Sequence, residues 1–596
     1  MPTETPFRLD GQLRRVPAIG PLLLGLAERA LAFERLANIH RQAARNRCTT
    51  TEFAAQVLDI LQVNFDMDPA QLDRIPKSGP AVVVANHPYG GIEGLFLIAE
   101  LLKHRNDARL IANQLLNRIP ELSEAIIPVD AFGGAQATRS NIRGLRTALN
   151  HVRNGGLLAL FPAGTVSHLH LSAGRVCDPP WSAAAARLLR MCACPVTPIH
   201  FGGGNSAVFQ TLGLLHPRMR TAMLSRELLN KRHRRIPVTV GRTIGAERIV
   251  EPSDDTALAS LLRLSTYALE ARGVARRKMQ RHFSPIEPAV PATLPEAEIE
   301  CLMPTQSLAT SADTCVLFAR ARQIPWVLRE IGRQREIAFR AIGEGTGRSS
   351  DLDRYDDHYV HIVAWHRTNR EIAGAYRIGH VDAITMQHGR ESLYTHSLFA
   401  YGDAFLRALG PALELGRSFV SHNYQKNFST LLLLWKGIAA YVHRHPRYHV
   451  LFGPVSVSGD YRPQSHALLI DFLKQRCYDP QLAQLVRPRR PFRRTHSLAA
   501  LNGDLARLGD LEELSSLVAI MEPDGKGVPI LLKQYLKLGA RLVGFNVDSD
   551  FGDVVDGMIV VDLLRTEERS LQKYMGREQA AAFLAHHRPE RRSCSQ

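Results

Sequence analysis

The chain has 596 residues, 45% of them hydrophobic and 22% charged, a balance that excludes a disordered or fibrous protein and, at this length, a single-core domain. Its formal net charge of +17 points to an anionic neighbour: phospholipid headgroups, nucleic acid or an acidic carrier protein. A 7% aromatic content and the lack of zinc-finger spacing speak against nucleic acid, and eight cysteines scattered without scaffold density fit a reducing compartment.

In chain order, Met1-Pro2-Thr3-Glu4 lacks the basic start of a signal peptide, and no apolar run approaches the roughly 18 residues of a spanning helix. The expectation is a cytoplasmic protein, or one lying on a membrane without crossing it. An amphipathic helix is predicted from Leu22 through Leu36. Short apolar runs then alternate with helical patterns, at Ala81 to Ala85, Ile126 to Val129, Leu157 to Phe161 and Val196 to Phe201, which is an α/β rhythm. Pro285, Pro288, Pro291, Pro295 and Pro304 break the pattern and predict an extended linker over 284–305, separating a domain at 1–283 from one at 306–596. The second half predicts strands at Val360 to Ala364, Ile372 to Ile378 and Ala412 to Val420, a helix from about Asn427 to Tyr441, and last strands at Ala540 to Phe545 and Met558 to Val561, an α+β layout.

Two constellations carry chemistry. In Val82-Val83-Val84-Ala85-Asn86-His87-Pro88-Tyr89-Gly90-Gly91-Ile92-Glu93-Gly94 a buried strand ends in a Gly-rich turn bearing a histidine and an acid. An imidazole there can take a proton from an alcohol while a carboxylate fixes its tautomer. Further on come Ile127-Pro128-Val129-Asp130, Arg139, Phe161-Pro162-Ala163-Gly164-Thr165 and Val196-Thr197-Pro198-Ile199. With these four ordered blocks, residues 60 to 250 resemble the glycerolipid (lysophosphatidate-type) acyltransferase superfamily, in its branch once labelled hemolysin-like. The resemblance implies an α/β domain with His87 as base, Glu93 as its partner, and Asn86, Arg139, Gly164, Thr165 and Pro198 binding substrate. Two departures stand out: five residues lie between His87 and Glu93 where the family has four before an Asp, and Ala163 and Val166 replace a Glu and an Arg of the third block. The longer Glu and the Gly90-Gly91 pair are available to compensate for the first. The second weakens a phosphate grip and suits an acceptor without phosphate.

The other constellation is Asp353-Arg354-Tyr355-Asp356, Gly374-Ala375-Tyr376-Arg377 and Glu414-Leu415-Gly416-Arg417. On a strand Glu414 and Gly416 share a face, and Arg417 points the other way unless a bulge re-aims it. In this order the blocks resemble the acyl-homoserine-lactone synthases and ornithine N-acyltransferases, both on the GNAT fold, over residues 310 to 575. The resemblance implies a GNAT-like α+β domain in which Asp353, Asp356, Arg377 and Arg417 line the acyl and acceptor site and Glu414 activates an α-amine. The segment Arg340-Ala341-Ile342-Gly343-Glu344-Gly345 fits the GNAT pyrophosphate-loop pattern but precedes the strands, whereas Ser421-His422-Asn423-Tyr424-Gln425-Lys426, where that loop belongs, has no glycine. This favours acyl carrier protein over CoA as donor, with the basic cluster Arg487, Arg489, Arg490, Arg493 and Arg494 available to an acidic carrier or to a membrane.

Together the resemblances imply two acyl transfers that build an ornithine-type lipid. The second half would attach a 3-hydroxyacyl chain to the α-amine of ornithine, and the first would acylate the new hydroxyl of the lyso-lipid. No bound cofactor and no metal are expected, acyl-ACP or acyl-CoA being a co-substrate. The partners would be acyl carrier protein and an anionic membrane surface, at the cytoplasmic face of the inner membrane. The alternatives are a glycerophospholipid O-acyltransferase fused to a GNAT-like module for glycine, glutamine or another amine, and a non-enzymatic membrane-binding or lytic protein.

Overall fold

The computed structural model describes residues 33–44, 48–129, 135–171, 174–215, 217–252, 254–270, 283–425, 429–493, 502–522 and 524–587. The chain forms two compact units. One comprises Met1–Arg276 together with Ser497–Gly525, and the other Arg277–His496 with Lys526–Gln596.

In the first unit the strands are β1 (Asn64–Asp66), β2 (Ala81–Ala85), β3 (Arg109–Asn113), β4 (Ile126–Val129), β5 (Leu157–Leu160), β6 (His168–His170), β7 (Arg175–Cys177), β8 (Val196–Phe201) and β9 (Arg235–Val240). Seven of them make one sheet in the order β1-β9-β8-β2-β5-β3-β4. Strand β2 lies at its centre, parallel to both β5 and β8, and all five of its residues are buried. That explains why it appears in the sequence as an uninterrupted apolar run rather than an alternating one. Because β2, β5 and β8 are parallel, their carboxyl ends lie side by side, the usual place for a site in an open α/β sheet. Strand β3, with only Leu110, Ile111 and Ala112 apolar, was too short a run to be predicted.

The helix Asp255–Tyr267 is buried on every side, from Leu258 to Tyr267 without a break. One side packs on the sheet's core. The rest is covered from the far end of the sequence, where the helices Asn502–Leu505 and Leu511–Met521 bury Leu505, Leu508, Leu514, Leu517, Val518 and Met521.

The second unit holds strands β10 (Ser307–Ser311), β11 (Thr314–Arg320), β12 (Val360–His366), β13 (Glu371–His380), β14 (Phe399–Tyr401), β15 (Ala412–Val420), β16 (Val450–Val457), β17 (Val486–Pro488), β18 (Arg541–Asp548) and β19 (Val554–Asp562). Eight form a sheet in the order β10-β11-β12-β13-β15-β16-β19-β18. All neighbours are antiparallel except β15 and β16, which pair in parallel over three residues only, ending at Glu414 and Phe452. Beyond that point β15 pairs with β13, and β16 with β19, so the two part company.

Two expectations are corrected. The segment 284–305 is not an extended linker throughout, because Thr293–Gln306 is a helix packed on β11 and on the helix Pro325–Ala341, with Ile299 fully buried. Pro295 sits in its first turn, where a missing N–H costs nothing, and Pro304 in its last. Nor is the chain two contiguous domains at 1–283 and 306–596, since 497–525 belongs to the first unit. Of the helix predicted from Leu22 through Leu36, residues 22–32 lie outside the described residues, and Phe33–Ala43 is a helix.

Leu517→Ala would therefore destabilise the first unit although it lies in the second half of the sequence, by about 2–5 kcal/mol for a fully buried leucine. Hydrogen exchange should quicken in β2 and β5 while β13 and β19 keep their protection.

Candidate active sites

His87 stands two residues beyond β2, and Glu93 lies in the first turn of the helix Ile92–His104 that follows. The Gly90-Gly91 turn folds the chain back far enough that Glu93 Oε1 comes 2.9 Å from His87 Nδ1, despite the extra residue. Glu93 is fully buried, and its carboxylate also accepts the N–H groups of Tyr89 (2.9 Å), Gly90 (2.8 Å) and Gly91 (3.1 Å). Burial alone would raise its pKa. His87 and the backbone donors outweigh that and hold it below the usual carboxylate value. Gly90 has φ +93°, and a Cβ there would meet Leu224 and Val166, so no larger residue makes this turn.

The ring of His87 stacks on Phe161, the residue after β5, with centroids 4.2 Å apart. Its main chain is clamped at both polar atoms: the N–H donates to Asp178 Oδ1 (3.2 Å) and the carbonyl accepts from Ser167 N (2.8 Å). With Nδ1 facing Glu93, Nε2 is the nitrogen left for substrate. His87, Phe161, Gly164 and Thr165 border a cavity of about 390 Å³ whose other walls are mostly apolar, Phe53, Val57 and Leu228 among them, with His40 and Asn113 as polar exceptions. The cavity can seat an acyl chain with its carbonyl end at the imidazole.

The other predicted residues of this site take different places. Asn86 does not border the cavity. Its side-chain amide bridges to Phe201, donating to the carbonyl (2.9 Å) and accepting the N–H (2.7 Å), which locks the ends of β2 and β8 together. Pro198 is buried inside β8 opposite Val84, also away from the cavity, so its binding role is corrected to a structural one. Arg139 falls on the helix Ala135–Arg153, with its side chain outside the described residues, as is Asp130. Asp178, Ser167 and Phe161, which fix His87 in place, were not singled out from sequence. Only Phe161 lay within a quoted motif.

In the second unit a cavity of about 790 Å³ is bordered by Asp351, Asp353, Arg417, Arg489, Arg490 and Asp548, with further polar groups. Behind it lies a lattice of paired charges. Arg377, 1% exposed, donates to Asp353 (2.6 Å) and Asp356 (3.1 Å). Arg335 grips Asp356 with two nitrogens, at 3.0 and 2.9 Å. Arg417 meets Asp353 at 3.3 Å and is sandwiched between the rings of Tyr394 (4.8 Å) and Phe551 (4.1 Å). Burial opposes ionisation, but these arginines hold Asp353 and Asp356 below the usual carboxylate range.

Arg417 reaches the cavity because the strand is bulged there. The register between β13 and β15 shifts between Ala375 and Arg377, and Arg417 has φ +50°. A non-glycine residue in that region costs about 1–3 kcal/mol and is held only by strong surroundings, here its acids and two rings.

Glu414 is placed otherwise than expected. It is fully buried and does not border the cavity. Its oxygens accept from Tyr359 OH and from the N–H groups of Tyr394 (3.2 Å) and Thr395 (2.5 Å), so it fastens the short helix Tyr394–Leu398 to β15. Burial outweighs these bonds and pushes its pKa up. The acid that does open on the cavity with a raised pKa, again through burial, is Asp548 at the end of β18, adjoining Asp556, which burial pushes up to about 7. Neither was singled out as a site residue. The pattern at Arg340–Gly345 forms the end of a helix, where Arg340 pairs with Glu336 at 2.7 Å. Arg494 and Lys426 lie outside the described residues.

Family models match both halves: one described as acyltransferase covers residues 26–225, and one described as acetyltransferase (GNAT) domain covers 334–436. The chain is 34% identical over 261 residues to a glycine N(alpha)-acyltransferase of Bacteroides thetaiotaomicron, covering 41% of this chain and 77% of that protein. It is 29% identical over 215 residues to a lyso-glycine lipid O-acyltransferase of Phocaeicola vulgatus (35% and 73%), and 28% identical over 260 residues to an L-ornithine N(alpha)-acyltransferase of Brucella abortus (40% and 83%).

Glu93→Gln would turn an amide N–H toward donors and release the imidazole, lowering turnover at this site about 10²–10⁴-fold. It also tests linkage. A carboxyl held below its ordinary value of 4.5 contributes stability that is complete above that value and is lost as pH falls through the lower, folded value. In urea titrations from neutral to about pH 3 the parent should lose stability that the variant never had. Arg377→Met would leave Asp353 and Asp356 short of their shared cation and cost the second unit about 3–5 kcal/mol, read as a lower urea midpoint.

Proposed function

We propose a function from one premise: the chain belongs to the acyltransferase family of the glycine N(alpha)-acyltransferases, and it joins an acyltransferase domain to a C-terminal GNAT domain. In this reading it makes a diacylated amino-acid lipid in two steps. The second unit transfers a 3-hydroxyacyl chain from acyl carrier protein to the α-amine of an amino acid, and the first unit O-acylates the hydroxyl of the resulting lyso-lipid.

The observation that carries the reading is the His87–Glu93 pair at the end of an apolar cavity. Nε2 of His87 takes the hydroxyl proton as the oxygen attacks the thioester carbonyl, and the proton then goes to the departing thiol. Glu93 steadies the imidazolium between these steps. The relatives' names, an N-acyltransferase and a lyso-lipid O-acyltransferase, support pairing this step with an N-acylation.

In the second unit Asp548, which opens on the cavity and whose pKa burial raises, accepts the proton of the α-ammonium, and Arg417 holds the acceptor's carboxylate. Ornithine is the proposed acceptor, because its second ammonium would find Asp550 on the same cavity wall. Glycine is the second reading, favoured by the higher identity to the glycine enzyme. Arg489 and Arg490 on the cavity wall suit the phosphate of a carrier protein's prosthetic arm. With a net charge of +17, and no helix among the described residues long and apolar enough to cross a membrane, the protein would sit peripherally on the anionic cytoplasmic leaflet.

Expression in a bacterium lacking amino-acid lipids, with mass spectrometry of the extract, tests this. The parent should yield a diacylated amino-acid lipid whose mass names the acceptor, His87→Ala the mono-acylated form alone, and Asp548→Asn little of either. Remodelled glycerophospholipids without any amino-acid lipid would overturn the reading.

A further inference from the structure

Arg263, 2% exposed, lies within the unbroken buried run Leu258 to Tyr267 of the helix Asp255–Tyr267, and the chemistry above makes no use of it. A guanidinium cannot shed its charge, so burial obliges the fold to supply acceptors. One is the carboxylate of Asp504, itself 4% exposed and 241 residues away in sequence. Another is the main-chain carbonyl of Asp178, at 2.5 Å, with the sulfur of Cys177 a weaker third at 3.8 Å. Asp178 is the residue that clamps His87: its Oδ1 accepts the His87 N–H and the Ser167 hydroxyl (2.5 Å), its Oδ2 accepts Trp181 Nε1 (2.9 Å), and its own N–H donates to Tyr267 OH (2.6 Å). Ser167 in turn donates its N–H to the His87 carbonyl.

We propose that Asp504 and Arg263 are positioning residues for the first site. An unbroken chain of polar contacts runs from Asp504 through Arg263 and Asp178 to both main-chain polar atoms of His87. Its far end is anchored by the apolar face that covers the helix Asp255–Tyr267. Without Asp504 the guanidinium is a buried cation with no anion to answer it, left with the Asp178 carbonyl, the Cys177 sulfur (3.8 Å) and the ring of Tyr267. The Asp178 loop then has freedom to shift, and His87 with it. A shift of the order of 1 Å at a catalytic group is enough for a loss of about a hundredfold.

The proposal rests on the reading of His87 as the O-acylation base, and the experiment separates the two. Full-length parent, His87→Ala, Asp504→Asn, Asp504→Glu and Asp510→Ala would be assayed for O-acylation of synthetic N-(3-hydroxyacyl)ornithine and its glycine counterpart with acyl carrier protein thioester as donor. N-acylation is measured alongside. Asp510 caps the helix Leu511–Met521 by accepting the N–H groups of Glu512 and Glu513, so its loss loosens the same segment without touching Arg263. Asp504→Asn should lower kcat for O-acylation by about tenfold to a hundredfold with KM and N-acylation unchanged. Asp504→Glu should restore most of the loss, and Asp510→Ala should keep near-parental kcat. If His87→Ala is dead but Asp504→Asn retains full kcat, the positioning role is wrong and the site stands. Equal losses from Asp510→Ala and Asp504→Asn would make the effect one of segment stability and also overturn it. Activity surviving in His87→Ala would instead remove the reading on which the proposal rests.

Discussion

A carboxylate with no water around it survives only where donors replace the water, and in the first unit that requirement falls on Glu93. Three successive backbone N–H groups and one imidazole meet it. The demand explains the local sequence. The N–H groups must converge, so Tyr89-Gly90-Gly91 curls around the carboxylate, with Gly90 at positive φ. The imidazole must reach Oε1, so the helix has to start directly after the turn and to carry its acid in the first turn, where the helix dipole also favours a negative charge. From the same constraint follow the orientation of the His87 ring and the freedom of Nε2, and the parallel sheet brings Phe161 from the next strand end to stack on that ring.

The second unit meets the problem of buried charge differently. Asp353 and Asp356 are answered by Arg335, Arg377 and Arg417 rather than by a backbone turn. Such lattices add little to net stability, because desolvation offsets most of the Coulombic gain, but they are unforgiving of a missing member. What this lattice provides is geometry. It holds Arg417 in a left-handed conformation that brings the guanidinium to the acceptor cavity, and among the described residues it leaves Asp548 as the acid on the cavity wall whose pKa burial raises.

Much of this was legible in sequence where one residue's neighbours decide its state. Strand β2, the turn at Gly90-Gly91 and the pairing of His87 with Glu93 all sit within thirteen residues, and both fold classes, an acyltransferase α/β domain and a GNAT α+β domain, followed from ordered motifs. The bulge at Arg417 could be named only as a condition, since a register shift depends on the partner strand β13. Glu414 misled for a related reason. An acid flanked by apolar residues in a strand suggests a buried base, yet whether it opens on a cavity depends on Tyr359 and the turn at Tyr394, distant in sequence. The Pro-rich stretch misled because two of its prolines occupy opposite end turns of a helix, positions that composition does not distinguish.

The contribution of 502–522 to the first unit was the least legible feature, and its energetics show why such an arrangement is stable. Loop closure grows only logarithmically, at roughly 0.6 kcal/mol per doubling of length, so the long excursion through 277–496 adds little cost. Against it stand six buried apolar side chains, each contributing about 1.5–3 kcal/mol on leaving water. Sequence distance is therefore a poor guide to membership of a core. A helix apolar on one face announces one partner surface, whereas Asp255–Tyr267, buried on all faces with an arginine among them, requires a second cover carrying an anion. Within the described residues that cover is the segment bearing Asp504, and the first unit gains its full core only once the chain has passed residue 525.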